Sequence, residues 1–192
     1  MGELALLRPS ESSPIKCTAS HAAHPKRNKG KVTLLTGIDS ESFRSVLATY
    51  ATGVAVMTCA TTDGHIGAMT VNSFASLSLD PPLVLWSIDN GCDQAPRFRA
   101  SSHYAVNILS ASQQDLSNRL AMPGENKLAD IPYDKGQTDT PLLHDCCAQL
   151  ECEIINRVAG GDHIILIGQV IAAKHYDREP LIYHGGGYRS LK

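Results

Sequence analysis

Residues 69–88 read Met69-Thr-Val-Asn-Ser-Phe-Ala-Ser-Leu-Ser-Leu-Asp-Pro-Pro82, running into the apolar Leu83-Val-Leu-Trp-Ser-Ile88. Thr70, Asn72, Ser73, Ser76 and Ser78 gather five small polar side chains between two strand-like runs. Asp80-Pro81-Pro82 then stops the segment, because each proline fixes φ and holds the residue before it extended. The stretch reads as a loop that presents hydroxyls, an amide and backbone N–H groups to one flat ligand with polar edges. On composition alone it reads equally as a Ser/Asn-rich surface loop.

Strands flank this loop on both sides. Val54–Thr61 and Ile66–Val71 read as a hairpin turning at Asp63-Gly64. Leu83–Ile88 and Tyr104–Leu109 are two further strands, separated by a short helical segment near Ala95–Ser101. Upstream, Phe43, Val46, Leu47 and Tyr50 repeat at helical spacing; Asp39 or Ser40 can cap that helix and Gly53 can end it. Ser110 and Gln113 have the form of a capping box, so a helix is expected over about 111–121. Residues 123–140 are polar and read as a loop or lid. In 148–158, Ala148, Leu150, Cys152 and Ile154 alternate with Gln149, Glu151 and Glu153, as in a half-exposed strand. Ile164–Ala172 returns from Gly160-Gly161 as a nearly all-apolar strand. With hairpin-length connections dominant, the fold class is mainly β and antiparallel, and a closed barrel is the natural way to hide the edges.

At 192 residues, with 43% hydrophobic and 19% charged residues, the chain suits one domain with a sizeable core. The net charge of −2 gives no reason to expect nucleic acid or an acidic membrane as partner. It conceals an asymmetry: residues 1–37 carry six Lys/Arg against two Glu, and the remainder eleven against seventeen. That basic segment lacks periodicity and reads as a mobile arm preceding a domain over 38–192. Its Cys17, His21 and His24 have metal-compatible spacing but no fourth ligand in sequence, so no metal is assigned. Leu4-Ala-Leu-Leu7 is too short for a signal-peptide core and no run approaches a membrane span, which implies a cytoplasmic protein. Six cysteines, with no C-x-x-C pair, fit a reducing compartment; Cys59 and Cys152 read as small buried hydrophobes.

Several chemistries are excluded by what is missing. There is no G-x-G-x-x-G after a strand and no G-x-x-x-x-G-K-[ST]. H-E-x-x-H and G-x-S-x-G are also absent, removing the zinc peptidase and serine hydrolase signatures. The chemistry therefore falls to a cofactor that the protein positions.

Six motifs occur in order over about 150 residues: Ala51-Thr-Gly-Val54, Met69-Thr-Val-Asn-Ser-Phe74, Ser76-Leu-Ser-Leu-Asp-Pro-Pro82, Tyr104-Ala-Val-Asn-Ile-Leu109, Gly161-Asp-His163 and His184-Gly-Gly-Gly-Tyr-Arg189. Over 43–191 the chain thus resembles the short-chain flavin reductases with the FMN-binding split-barrel fold. These are the reductase components of two-component monooxygenases such as those acting on 4-hydroxyphenylacetate, phenol or styrene. The resemblance implies an NAD(P)H:flavin oxidoreductase that reduces FMN or FAD, with NADH or NADPH as co-substrate, and releases the reduced flavin to a separate monooxygenase. It also implies a homodimer.

Carried over by motif, the expected flavin contacts are Thr70, Val71, Asn72, Ser73, Ser76, Leu77 and Ser78, with Thr52, Gly53, Met69 and Tyr188 beside them. Thr70, Asn72 and Ser73 are the expected donors to the polar edge of the flavin. His163 is expected to face the nicotinamide nucleotide, although an exposed turn histidine would read the same. No other catalytic side chain is required. Asn107 either joins the site or satisfies backbone groups in its own strand. The glycines of 185–187 either admit a ligand close to the backbone or form a C-terminal turn at a dimer interface. Three departures stand out. Asp89-Asn-Gly-Cys-Asp93 is acidic where family members often place a phosphate anchor, leaving Arg97 or Arg99 as substitutes. Leu120 replaces an aromatic residue, and Gly187 stands where Arg is frequent. Two alternatives share the fold: a flavoprotein that retains its flavin and passes electrons without NAD(P)H oxidation, and a non-catalytic binding protein.

Overall fold

The computed structural model describes residues 37–191. The basic arm and the Cys17/His21/His24 group lie outside the described residues, apart from Gly37. Helix α1 spans Ser40–Leu47, with the Asp39 carboxylate accepting from the Ser42 N–H at 2.8 Å. It ends at Leu47, well before Gly53, which instead lies in strand β1 (Thr52–Gly53). The expected hairpin follows as β2 (Ala55–Ala60) and β3 (Ile66–Val71), paired antiparallel around the Asp63-Gly64 turn.

The 69–82 segment departs from the expected loop. Met69–Val71 complete β3; only residues 72–74 form a connection, and Ala75–Leu79 are strand β4. Asp80-Pro81 makes the turn into β5 (Pro82–Asp89), with Leu79 opposite Pro82. Proline is tolerated there because it begins its strand. The polar serines mark an edge strand rather than a loop: β4 is exposed along most of its length, and a register shift between Ser76 and Ser78 makes Leu77 a bulge.

Helix α2 (Ala95–Ala100), β6 (His103–Ile108) and a 3₁₀ turn (Ala111–Gln113) leading into α3 (Gln114–Ala121) match expectation. The Gln113 side chain accepts from the Ser110 N–H at 3.0 Å, as a capping box requires. The 123–140 region contains strand β7 (Tyr133–Lys135), which pairs with β8 (Pro141–Leu143). It is tied down as well: Asp93 accepts from Gly124 N–H at 2.6 Å, Gln94 donates to Gly124 O at 2.9 Å, and Arg119 pairs with Asp130. These clasps argue against a free lid.

Strands β9 (Ala148–Gly160) and β10 (His163–His175) form a long hairpin. Short strands β11 (Ile182–His184) and β12 (Gly187–Arg189) close the chain. The main sheet has the order β3-β2-β6-β9-β10-β5-β4, and a second runs β1-β11-β12; every pairing is antiparallel. Its two end strands, β3 and β4, carry no ladder with each other.

The core has two halves separated by the sheet. Met57, Trp86, Phe98, Tyr104 and Leu166 fill one; Val56, Leu109, Leu120 and Leu143 fill the other. Strand β2 serves both, so it is buried from Ala55 to Cys59, with Thr58 donating to Pro141 O. Trp86 meets Phe98 and Tyr104 edge-on at centroid separations of 4.9 and 5.9 Å. Gly168 lets the Tyr104 ring cross β10, since a Cβ there would sit 2.7 Å from its Cζ. The expected outward face of β9 needs correction: Gln149 and Glu151 are buried. Gln149 donates to Leu143 O, and the Glu151 carboxylate accepts from the Thr138 N–H and hydroxyl. Burial, the largest cause, pushes the Cys59 and Cys152 thiols up to about 11 and about 12, with the Glu151 charge adding to it at Cys152.

Candidate active site

The end of β3, one face of α3 and the β11–β12 hairpin enclose a cavity of about 550 Å³. Thr70 and Val71 close β3 there, with Asn72 following. Helix α3 supplies Gln114, Ser117, Asn118 and Ala121, whose spacing of three, four and seven residues defines a single face. Tyr183, Gly186, Gly187 and Tyr188 come from the hairpin, whose tight turn requires left-handed backbone at Gly185 (φ 62°) and Gly186 (φ 76°). Among the described residues, no charged side chain lines the cavity. Its polar groups are hydroxyls and amides, a neutral donor and acceptor set suited to a heterocycle bearing carbonyls and ring nitrogens.

Hydrogen bonds already made within the protein decide which of these groups are free. The Thr70 hydroxyl donates to Ser117 O at 2.7 Å, so toward the cavity it has only lone pairs to offer. The Ser73 hydroxyl donates to Ser87 O at 3.0 Å and accepts from Ser87 N–H at 3.2 Å, fastening the β3–β4 connection onto β5. Neither hydroxyl is therefore the free donor expected from sequence. Asn72 is exposed, and its amide has no hydrogen-bond partner among the described residues. On the opposite wall, Tyr188 donates to Asn118 Oδ1 at 3.0 Å and shares a 2.8 Å hydrogen bond with the Ser117 hydroxyl. This hydroxyl chain ties α3 to the hairpin.

The cavity thus brings together Thr70, Val71, Asn72 and Tyr188 of the residues expected from sequence. Thr52 and Gly53 sit alongside on β1, where Thr52 pairs with the cavity residue Tyr183. Thr52 Oγ1 is buried without a partner among the described residues, as a hydroxyl reserved for a ligand or water would be. Ser76, Leu77 and Ser78 lie on edge strand β4 and do not line the cavity.

A smaller cavity of about 240 Å³ shares Thr70 and Ala121 with the first and is also lined by Met69, Asp93 and Lys127. Burial lowers the Lys127 pKa, and its Nζ donates to Leu120 O at 3.1 Å. For Asp93, burial acts upward, but the Gly124 N–H and nearby Lys127 outweigh it and leave its pKa lowered. Arg97 lines neither cavity; it faces a separate depression with Asp63, Asp93 and Glu125. Arg99 donates to Asn90 Oδ1 at 2.6 Å.

Asn107 resolves to the structural alternative. It is wholly buried, donates to Val56 O and the Thr58 hydroxyl, and accepts from Leu143 N–H. His163 opens β10 directly after the Gly161 turn (φ 68°) and lies opposite Asp89 of β5. Its Nδ1 is 2.6 Å from Asp162 Oδ1, a hydrogen bond that lowers the Asp162 pKa. Asp162 thus orients the imidazole, rather than holding the turn through its side chain. Leu120, in place of the family's aromatic, is fully buried beneath α3.

Sequence reading missed Gln114, Ser117, Asn118 and Lys127. The spacing on α3 was visible, but the polar face of an amphipathic helix ordinarily faces water.

Comparison with known proteins agrees with this architecture. A family model described as "Flavin reductase like domain" matches residues 47–192. "FMN reductase (NADH) SmoA" of Agrobacterium fabrum is 41% identical over 152 residues, covering 79% of this chain and 86% of that protein. "Flavin-dependent monooxygenase, reductase subunit HsaB" of Mycobacterium tuberculosis is 31% identical over 158 residues, 81% of this chain and 84% of its own. Among solved structures, the NADH:FAD oxidoreductase SgcE6 of Streptomyces globisporus superposes with a TM-score of 0.79 at 32% identity, covering 84% of this chain and 98% of that one. Sequence, topology and cavity converge on one assignment: the chain belongs to the family of flavin reductase-like domains.

Proposed function

We propose that the protein is an NAD(P)H-dependent flavin reductase that reduces FMN or FAD and delivers the reduced flavin to a separate monooxygenase. The observation that carries this reading is the uncharged, amide- and hydroxyl-lined cavity between β3, α3 and the β11–β12 hairpin. When bound, the flavin supplies the hydride-accepting chemistry. The chain holds the flavin ring against Val71, with Asn72 and Thr70 at its polar edge and Tyr188 on the far wall. Lys127, the one cation lining either cavity among the described residues, is the anchor we assign to the flavin phosphate, in place of Arg97. His163, oriented by Asp162, holds the nicotinamide nucleotide.

The protein is proposed to act as a cytoplasmic homodimer. In support, α1 presents Phe43, Val46 and Leu47 at least 51% exposed, with Tyr50 beside them. The same helix is linked to the cavity hairpin through Gly185 N–H and Ala48 O, 2.8 Å apart. No helix among the described residues is long and apolar enough to cross a membrane.

Steady-state oxidation of NADH and of NADPH, each with riboflavin, FMN and FAD, tests the function. Oxidation that rises saturably with added flavin is expected. A protein that stays yellow through exhaustive dialysis and ignores added flavin would be an electron-transfer flavoprotein instead.

A further inference from the structure

The polar face of α3 carries groups whose bonding inside the protein leaves them with one kind of valence. Asn118 accepts at Oδ1 from Tyr188 (3.0 Å), and Tyr188 is itself held by Ser117 (2.8 Å). Its Nδ2 donors have no partner among the described residues, and the residue lines the cavity. One turn earlier, Gln114 lines the same wall, with its amide also unpartnered among the described residues. Adjoining α3, Thr70 of β3 has given its proton to Ser117 O and can only accept. The walls therefore differ in polarity, α3 offering donors and β3 an acceptor beside the free Asn72 amide.

We infer that Asn118, seconded by Gln114, is the donor that recognises a carbonyl of the flavin's pyrimidine edge, and that Tyr188 is its positioning residue. This rests on the proposal that the cavity holds the flavin ring. A pyrimidine edge alternates carbonyl, N–H and carbonyl, so it needs a donor on each side of one acceptor. A nicotinamide carboxamide offers a single carbonyl and its own N–H₂. By donating to Oδ1, the Tyr188 hydroxyl fixes which end of the Asn118 amide is oxygen and leaves the Nδ2 donors free for the ligand. No charge is needed, and none lines the wall.

Asn118→Asp separates this from a structural role, because it keeps the acceptor for Tyr188 while replacing the Nδ2 donors with an anionic oxygen. Titration of FMN by fluorescence quenching should give a Kd raised about tenfold or more, with the NADH KM unchanged. Tyr188→Phe, which leaves the donors but frees the amide, should raise the FMN Kd about threefold. Gln114→Glu serves as a second variant, since Gln114 bonds to nothing inside the fold and an acidic residue suits the first turn of a helix. It should weaken FMN in the same direction. Unchanged FMN affinity in both Asn118→Asp and Gln114→Glu overturns the inference, as does an effect confined to the NADH KM. Asn72→Ala run in parallel tells which proposal has failed. If it weakens FMN while the α3 variants do not, the cavity still holds the flavin and only the role of α3 is wrong. If none of the three responds, the ring lies elsewhere.

Discussion

Ser73→Ala and Asn72→Ala are adjacent changes that should fail in opposite ways. The Ser73 hydroxyl makes two hydrogen bonds to the Ser87 backbone, at 3.0 and 3.2 Å, in a half-buried setting. Removing it strips the Ser87 carbonyl and N–H of partners that water replaces only in part. At about 0.5–1.5 kcal/mol for each bond, discounted for partial exposure, the loss is about 1–2 kcal/mol of folding stability. For a chain of this size that lowers Tm by about 2–8 °C. Flavin affinity should stay within about threefold, because the hydroxyl has no valence left for a ligand. Asn72 is the converse. Its side chain is exposed and unpartnered, so truncation should leave Tm within about 2 °C. The lost contacts to a buried ligand edge should weaken flavin binding by about 1–2 kcal/mol, or about five- to thirtyfold in Kd. Scanning calorimetry and flavin fluorescence quenching on the two variants give all four numbers. A Ser73→Ala protein that melts normally but binds flavin poorly would refute the reasoning, since the hydroxyl would then serve the ligand and not the β3–β5 junction.

His163→Ala should raise the NAD(P)H KM several-fold or lower kcat/KM by about one to two orders of magnitude, about 1.4–2.7 kcal/mol, with flavin affinity unaltered; unaltered NAD(P)H kinetics would make it an ordinary turn histidine. The buried thiols set an alkaline limit. Cys59 and Cys152 ionise near pH 8.5 in the unfolded chain but are held at about 11 and about 12 when folded. The folded state then binds more protons, so the melting temperature should fall as pH rises above about 9, and Cys59→Ala should flatten part of that decline. Deleting residues 1–35 should leave folding and flavin reduction intact, measured by calorimetry and by NADH oxidation; a collapse of either would make the segment structural.

Periodicity was enough to place most elements, because alternation and helical spacing are local properties of the chain. Val54–Thr61, Ile66–Val71 and Tyr104–Leu109 are strands for that reason, and Ser110–Gln113 starts a helix through its own cap. The motifs also placed Thr70, Val71, Asn72 and Tyr188 in the cavity, far apart in sequence as they are. What sequence could not decide was where each polar group spends its hydrogen bonds. Serines at 76 and 78 read as a binding loop because a polar edge strand and a polar loop share one composition; only pairing with β5 distinguishes them. Gln149 and Glu151 alternate as an exposed face would, yet β8 and the 136–140 turn cover them. Thr70 and Ser73 looked like free donors until Ser117 and Ser87, 47 and 14 residues away, were seen to use them, and Asn107, open to either reading, spends its donors on Val56 and Thr58. Gln114 and Asn118 are exposed, as their helix positions suggested, but that they line a cavity shared with the β11–β12 hairpin, some 70 residues on, shows only in the folded chain. A side chain's type and local pattern are written in the chain, whereas its unspent valence depends on neighbours that only tertiary packing supplies.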